Sequence, residues 1–363
     1  MKKFFIAIAA LALVASAACT KVEKPATEKA ITFSVANYVP ATKAGEVSFL
    51  NEFADPANAH FQSVAFMKGV GVDGYQDFFG TGETITWNAT AKEWAPSHTY
   101  YWPKYKESYI NFFSWYDTGA GPTTKENGKL EWKDRTIATG DNIMYADPAW
   151  RFQMNLKEYP KLDDETIINE GVPTLFRHAL SQVEIRAYAE KLEVADLLTW
   201  TVKLTKLELK VNNVGTLSLN ATEPTSGYNI KGEWTGTPAW VASGEKGSIV
   251  PATFDVTATT ATAAEAKLLK NQSVLPQDLT GVSIKFNLDI TTTYDAGESN
   301  QEIIPVEIPL AAAVADGGFN TPAWALNTKY IYTIKVVPSE NKVLFDPAVE
   351  AAWETVDAGE KAL

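Results

Sequence analysis

Apolar and polar residues alternate at a period of two through much of this chain, and helical periodicity is scarce. Residues 282–290 place Val282, Ile284, Phe286, Leu288 and Ile290 on one face and four polar side chains on the other. A strand with one face on a core and one in water has this pattern. Residues 182–188 repeat it with Val183, Ile185 and Ala187. Trp200, Val202 and Leu204 alternate, then Leu207, Leu209 and Val211 resume one residue out of phase. That slip predicts either a bulge or a turn between two strands. Residues 328–337 form a β-branched and aromatic run with Tyr330, Tyr332, Ile334 and Val336 on one face. Residues 30–37, 63–67, 84–87 and 109–116 also read as strands, and the best short helix is 191–198. Many short strands punctuated by Gly, Pro and Asn predict an all-β protein of sandwich type. With 363 residues the default is two domains, and the polar stretch 159–173, containing Asp163-Asp164-Glu165, is the expected boundary.

Composition narrows the chemistry. The chain carries 32 Lys+Arg against 44 Asp+Glu, a formal charge of −12, and only Arg135, Arg151, Arg177 and Arg186 are arginine. Nucleic-acid binding needs clustered basic residues, so it is not expected. Three histidines and one cysteine exclude zinc clusters and intrachain disulfides. His60, His98 and His178 lack metal-ligand spacing. No metal, no cofactor and no catalytic residue is expected, and the chain does not read as an enzyme.

Residues 69–74 match G-x-G-x-x-G, but Tyr75-Gln76-Asp77-Phe78-Phe79-Gly80 follows instead of a helix, so a turn between strands is expected. Acidic pairs such as Asp163-Asp164 could serve a glycosidase, yet they read more simply as solvated loops. Six of the eleven tryptophans (Trp87, Trp94, Trp102, Trp115, Trp132 and Trp150) lie among many Tyr and Phe residues. Exposed, such rings stack on sugars; buried, they fill a sandwich core, the reading favoured by their apolar area.

The single cysteine acquires a meaning from its place. Lys2 and Lys3 precede an uncharged apolar run, residues 4–18, which is too short for the roughly 20 residues of a membrane-spanning helix. Ser16-Ala17-Ala18 then leads into Cys19, and the chain turns polar at once. This resembles a bacterial lipobox, with Ser16 where leucine is more usual. It implies a signal peptide over 1–18, lipidation of Cys19 and a polar tether over 19–29. Several acyl chains on one residue give stable attachment, where one alone is marginal. An ordinary secreted protein with a chance cysteine is the other reading.

Further motifs occur in a consistent order. His98-Thr99-Tyr100-Tyr101-Trp102-Pro103 and Tyr109-Ile110-Asn111-Phe112-Phe113-Ser114-Trp115-Tyr116 resemble the YYWP…NFFAYY segment of Bacteroidales fimbrillin-like lipoproteins. Phe176-Arg177-His178-Ala179-Leu180-Ser181-Gln182-Val183 resembles the family's F-x-H-A-L-(S/A)-x-V stretch. Val274-Leu275-Pro276-Gln277 resembles its L-P-Q turn, and Asn327-Thr328-Lys329-Tyr330-Ile331-Tyr332 its N-x-x-Y-x-Y strand. Trp353 matches a late tryptophan, and Ile31-Thr32-Phe33-Ser34 fits the start.

The resemblance implies a type V pilus subunit built as two tandem transthyretin-like β-sandwich domains, 30–170 and 171–363. Such subunits reach the outer membrane as lipoproteins, lose their first strand to a trypsin-like protease and receive a C-terminal strand from a neighbour. Strand addition satisfies unpaired backbone groups and fills apolar pockets. Head-to-tail insertion does not close, so it builds a filament. On this chain the removable strand is 30–37 and the cleavage site Lys43–Ala44, with an uncleaved surface lysine as the other reading. The donor strand is 342–356, where Val349, Ala351 and Trp353 alternate and Pro347 interrupts. The implied partners are other pilus subunits or host and bacterial surface ligands, with membrane contact through the lipid. The implied location is the cell surface, in a fimbria. The alternative is a lipid-anchored glycan-binding surface protein using exposed tryptophans.

Overall fold

The computed structural model describes residues 30–37, 49–103, 107–153, 171–189, 198–243, 247–255, 266–294, 297–312, 322–337 and 342–350. The first strands are β1 (Phe33–Asn37), β2 (His60–Lys68), β3 (Gln76–Asp77), β4 (Glu83–Asn88), β5 (Glu93–Pro96), β6 (Tyr109–Asp117), β7 (Thr124–Glu126), β8 (Lys129–Thr136), β9 (Ile143–Ala146), β10 (Ala149–Phe152) and β11 (Val172–His178). They continue with β12 (Ser181–Ala189), β13 (Leu198–Val211), β14 (Val214–Asn220), β15 (Ile230–Lys231), β16 (Trp240–Ala242), β17 (Gly247–Asp255), β18 (Lys267–Val274), β19 (Ser283–Tyr294), β20 (Ser299–Pro309), β21 (Lys329–Val337) and β22 (Lys342–Glu350). The protein is all-β, as its periodicity predicts. The expected helix at 191–198 lies outside the described residues except for Leu198, which opens β13.

The first half departs from the open sandwich the sequence predicts. Strands β2, β4, β5, β1, β11, β9 and β6 are bonded in that order, and β6 pairs back to β2, so seven strands close into a barrel-like sheet. Closure leaves no open edge within the ring, a gain that no single-strand pattern encodes. Every ring strand contributes to one core, which includes Phe33, Phe61, Ile85, Trp94, Phe112, Met144 and Phe176. Strand β6 is buried on both faces: Phe112 points to that core, whereas Phe113 and Trp115 join a second core. This second core lies beneath the four-stranded sheet β16-β14-β8-β7. Burial on both faces explains why β6 does not alternate apolar and polar residues.

The second half stacks sheet β18-β12-β21-β22 on sheet β17-β13-β19-β20 around a mostly aliphatic core. The phase slip in β13 is a bulge, not a turn. Thr205 pairs with Asn287 and Glu208 with Lys285, so one extra residue sits on β13, and Lys206 adopts φ 54°. The bulge lets Val202 and Leu204 on one side, and Leu207, Leu209 and Val211 on the other, face the same core.

The two halves interlock. Strands β14 and β16 complete a sheet with β8 and β7, β15 pairs with β10, and β11 pairs with β1 and β9. The expected boundary at 159–173 falls mostly outside the described residues. The G-x-G-x-x-G stretch is the turn joining antiparallel β2 and β3, with Gly71 at φ 68° and Gly74 at φ 79°.

Candidate functional site: the seat of the first strand

Strand β1 lies in the ring between β11 and β5. It runs parallel to β11 over five positions, from Phe33 opposite Val172 to Asn37 opposite Phe176. On its other side β5 offers one pair, Phe33 with Trp94. The start of the strand is received elsewhere. The Ile31 N–H donates to the Tyr100 carbonyl at 2.9 Å, and Ala30 bridges Tyr101. Ile31 and Phe33 are buried, and Val35 packs partly against the same core. The Phe33 ring meets Phe61 and Phe112 edge-on, each at 5.6 Å. Without these residues the ring would open between β11 and β5, exposing unpaired backbone beside an aromatic slot. Such a slot accepts a strand with apolar side chains at alternate positions.

The β11 side is fitted closely. Gly171 has φ 111°, and a Cβ there would stand 2.6 Å from the Thr32 carbonyl oxygen. Only glycine allows β11 to begin so near the first strand. The Val172 N–H then donates to the Thr32 carbonyl at 2.8 Å.

The chain that follows the first strand has an anchor of its own. In the 3-10 turn Phe49–Glu52, Phe49 stacks on Phe176 at 4.4 Å. Glu52 pairs with the buried His178 at 3.4 Å and accepts from Asn142 Nδ2 at 3.0 Å, while Asn142 Oδ1 lies 3.1 Å from His178 Nδ1. This turn therefore stays attached through contacts that do not involve β1.

Cys19, Lys43, Ala44, Ala351 and Trp353 lie outside the described residues. Val349 lies in β22, opposite Tyr330 of β21. Strand β22 is the end strand of its sheet and continues through Pro347, opposite Tyr332, where an end position tolerates the missing N–H. The tryptophans settle their own question. Trp94, Trp102, Trp115, Trp132, Trp150, Trp234, Trp240 and Trp324 are buried, and Trp87 and Trp200 pack partly against the cores. Among the described residues no exposed row of tryptophan rings exists for a sugar, which corrects the glycan-platform reading. His60, His98 and His178 are not gathered together, and no metal-holding group of His, Cys, Asp and Glu occurs among the described residues.

A polar clasp that sequence reasoning missed joins the halves beside the ring. Glu223 accepts from the hydroxyls of Tyr75 and Tyr109 (2.8 Å from Tyr109), from Asn111 Nδ2 at 3.0 Å and from Arg151 Nη1 at 3.0 Å. The Arg151 guanidinium lies 4.1 Å from the Tyr109 ring centroid and 5.3 Å from that of Tyr228. Burial raises the Glu223 pKa, but these hydrogen bonds outweigh it and hold the carboxyl below the usual range. Burial first, then the Glu223 partnership, pushes the Tyr75 hydroxyl upward. The six participants are scattered from residue 75 to residue 228, so no local motif announces them.

The molecule is thus an all-β protein in which a closed ring, carrying its own first strand as one stave, is interlocked with a sandwich. No family model matches the chain, and no curated protein matches it in sequence. Solved structures do match. A fimbrial protein from Bacteroides vulgatus aligns with a TM-score of 0.50 at 15% identity, over 90% of this chain and 99% of that one. A protein from Bacteroides uniformis, described as a candidate cell adhesion protein, aligns with a TM-score of 0.43 at 17% identity, over 90% and 99%. The structural neighbours are Bacteroidales fimbrial and cell adhesion proteins, and the chain shares its fold with the Bacteroides vulgatus protein.

Proposed function

We propose that this chain is a non-enzymatic structural or adhesive subunit of a cell-surface fimbria, assembled head to tail by β-strand exchange. A lipid on Cys19 holds it at the outer membrane, and residues 30–170 and 171–363 correspond to two tandem transthyretin-like modules, with β11 of the second completing the ring of the first. Cleavage at Lys43–Ala44 frees the first strand, and the 342–356 segment of a neighbour, carrying Val349, Ala351 and Trp353, takes its seat.

One observation carries this reading: β1 is a stave of a closed ring, bonded to β11 along its length but to β5 at a single pair. Its loss opens an aromatic slot, while the anchored turn Phe49–Glu52 keeps the downstream chain in place. The donor side is consistent with this. Strand β22 ends its sheet, so donating it leaves β18, β12 and β21 still paired. The fold shared with a Bacteroides fimbrial protein supports the same class.

The test is to incubate the lipid-free chain, from residue 20 onward, with trypsin. Mass spectrometry follows cleavage and electron microscopy follows assembly. Cleavage near Lys43 followed by filaments is expected; cleavage there without filaments would overturn the polymerising role.

A further inference from the structure

We propose that Glu83 is the positioning residue of the first strand's seat: it holds the segment 98–101, whose backbone receives the start of that strand, and so sets how readily the strand leaves. The inference rests on the strand-exchange reading above. Glu83 opens β4 and is only 6% exposed. Its Oε1 accepts the His98 backbone N–H at 3.1 Å, both oxygens lie within 3.2 Å of His98 Nδ1, and Oε2 accepts the Tyr100 hydroxyl at 3.0 Å. One buried carboxylate thus gathers three donors from a three-residue span.

That span is where the first strand is received. The Tyr100 carbonyl accepts the Ile31 N–H, and Tyr101 bridges Ala30. The Tyr100 ring packs on Phe79 at 4.6 Å, Phe79 meets Phe112 at 5.8 Å, and Phe112 meets Phe33. Glu83 therefore fixes both the backbone acceptor and the aromatic wall without touching the strand itself. Because β5 adds only the Phe33–Trp94 pair, this segment supplies the backbone partners of Ala30 and Ile31, the residues that lead into β1, on that side.

The titratable groups that bear on Glu83 are His98 and Tyr100, both from this segment. Burial raises the Glu83 pKa, but the His98 and Tyr100 hydrogen bonds prevail and keep the carboxyl below its ordinary range. Protonation turns one acceptor oxygen into a donor, so the clasp weakens as pH falls and is intact at neutral pH.

Hydrogen–deuterium exchange on the lipid-free chain tests this, comparing peptides from 30–37 with peptides from 60–68 in β2. Glu83→Gln is expected to speed exchange of 30–37 by at least roughly tenfold at neutral pH, as expected for losing hydrogen bonds to a charged group, with 60–68 nearly unchanged. The wild-type chain should show the same selective loss on acidification, corrected for intrinsic exchange, and the variant should not. Tyr100→Phe, which removes one donor and keeps the fold, should shift 30–37 the same way by less. Equal acceleration in both peptides, or no change at 30–37 in either variant, would overturn the proposal. If trypsin-cleaved wild-type chain never assembles, the strand-exchange reading fails, but the coupling of Glu83 to residues 30–37 is still read by exchange.

Discussion

The ring and the sandwich are made of the same material, short strands with one or both faces buried, yet they respond differently to losing a strand. In the sandwich, β22 pairs with β21 at nine successive positions and has no second neighbour among the described residues, so its removal moves an edge by one strand. In the ring, β1 has neighbours on both sides and supplies Phe33, with Ile31 just before it, to a core shared by all seven strands. Its removal opens a closed sheet. A strand that ends a sheet is suited to being given, and one that closes a ring leaves a place for another. Under the proposed function, this asymmetry is what would let copies of a single chain link head to tail.

The largest test attacks the interlock on which the comparison depends. Ending the chain at residue 170 removes β11 from the ring and β14 and β16 from above the second core. Such a fragment is expected to show no cooperative thermal transition by circular dichroism. A fragment that melts cooperatively would show that the ring stands alone. Next comes the core beneath the first strand. Phe33→Ala should cost about 3–5 kcal/mol, read from the urea midpoint, and should also speed exchange of residues 30–37. Phe286→Ala in the sandwich core should cost a similar ~3–5 kcal/mol and leave exchange at 30–37 unaltered. Gly171→Ala combines the left-handed backbone with the contact on Thr32, and about 2–3 kcal/mol of destabilisation is expected.

The smallest effect separates the clasp from the sandwich surface. Glu223 titrates below its ordinary value when folded, so the stability it contributes is present above the unfolded-state value and is lost as pH falls through the folded one. Glu223→Gln should flatten the acid limb of a stability–pH curve measured by urea denaturation. Glu307, on the exposed face of β20, is lowered first by its Ser283 hydrogen bond and then by Lys285, and Glu307→Gln should flatten that limb less.

The sequence made some of this legible and hid the rest for physical reasons. Strands with one core face and one more polar face, such as β12 and β19, announce themselves through alternation, because side chains of a strand face opposite sides in turn. The β13 bulge was legible as a phase slip, although only the pairing of Thr205 and Glu208 showed that the strand continues. Strand β11 alternates Val172, Thr174, Phe176 and His178 inward, but the polar and small residues among them obscured it. Ring closure was invisible, since whether β6 pairs with β2 depends on global geometry and not on either strand's pattern. The motif around His98 and Tyr100 is legible as a likeness, while its physical partner, Glu83, lies in another strand and carries no local signal. The Glu223 clasp was hidden in the same way.

The central claim is that the first strand is replaced, not merely nicked. The direct measurement is to purify filaments and monomers after trypsin cleavage at Lys43 and quantify the fragment containing residues 30–37 by denaturing mass spectrometry. The account predicts one fragment per subunit in cleaved monomers and none in filaments. Filaments that retain one fragment per subunit would contradict it.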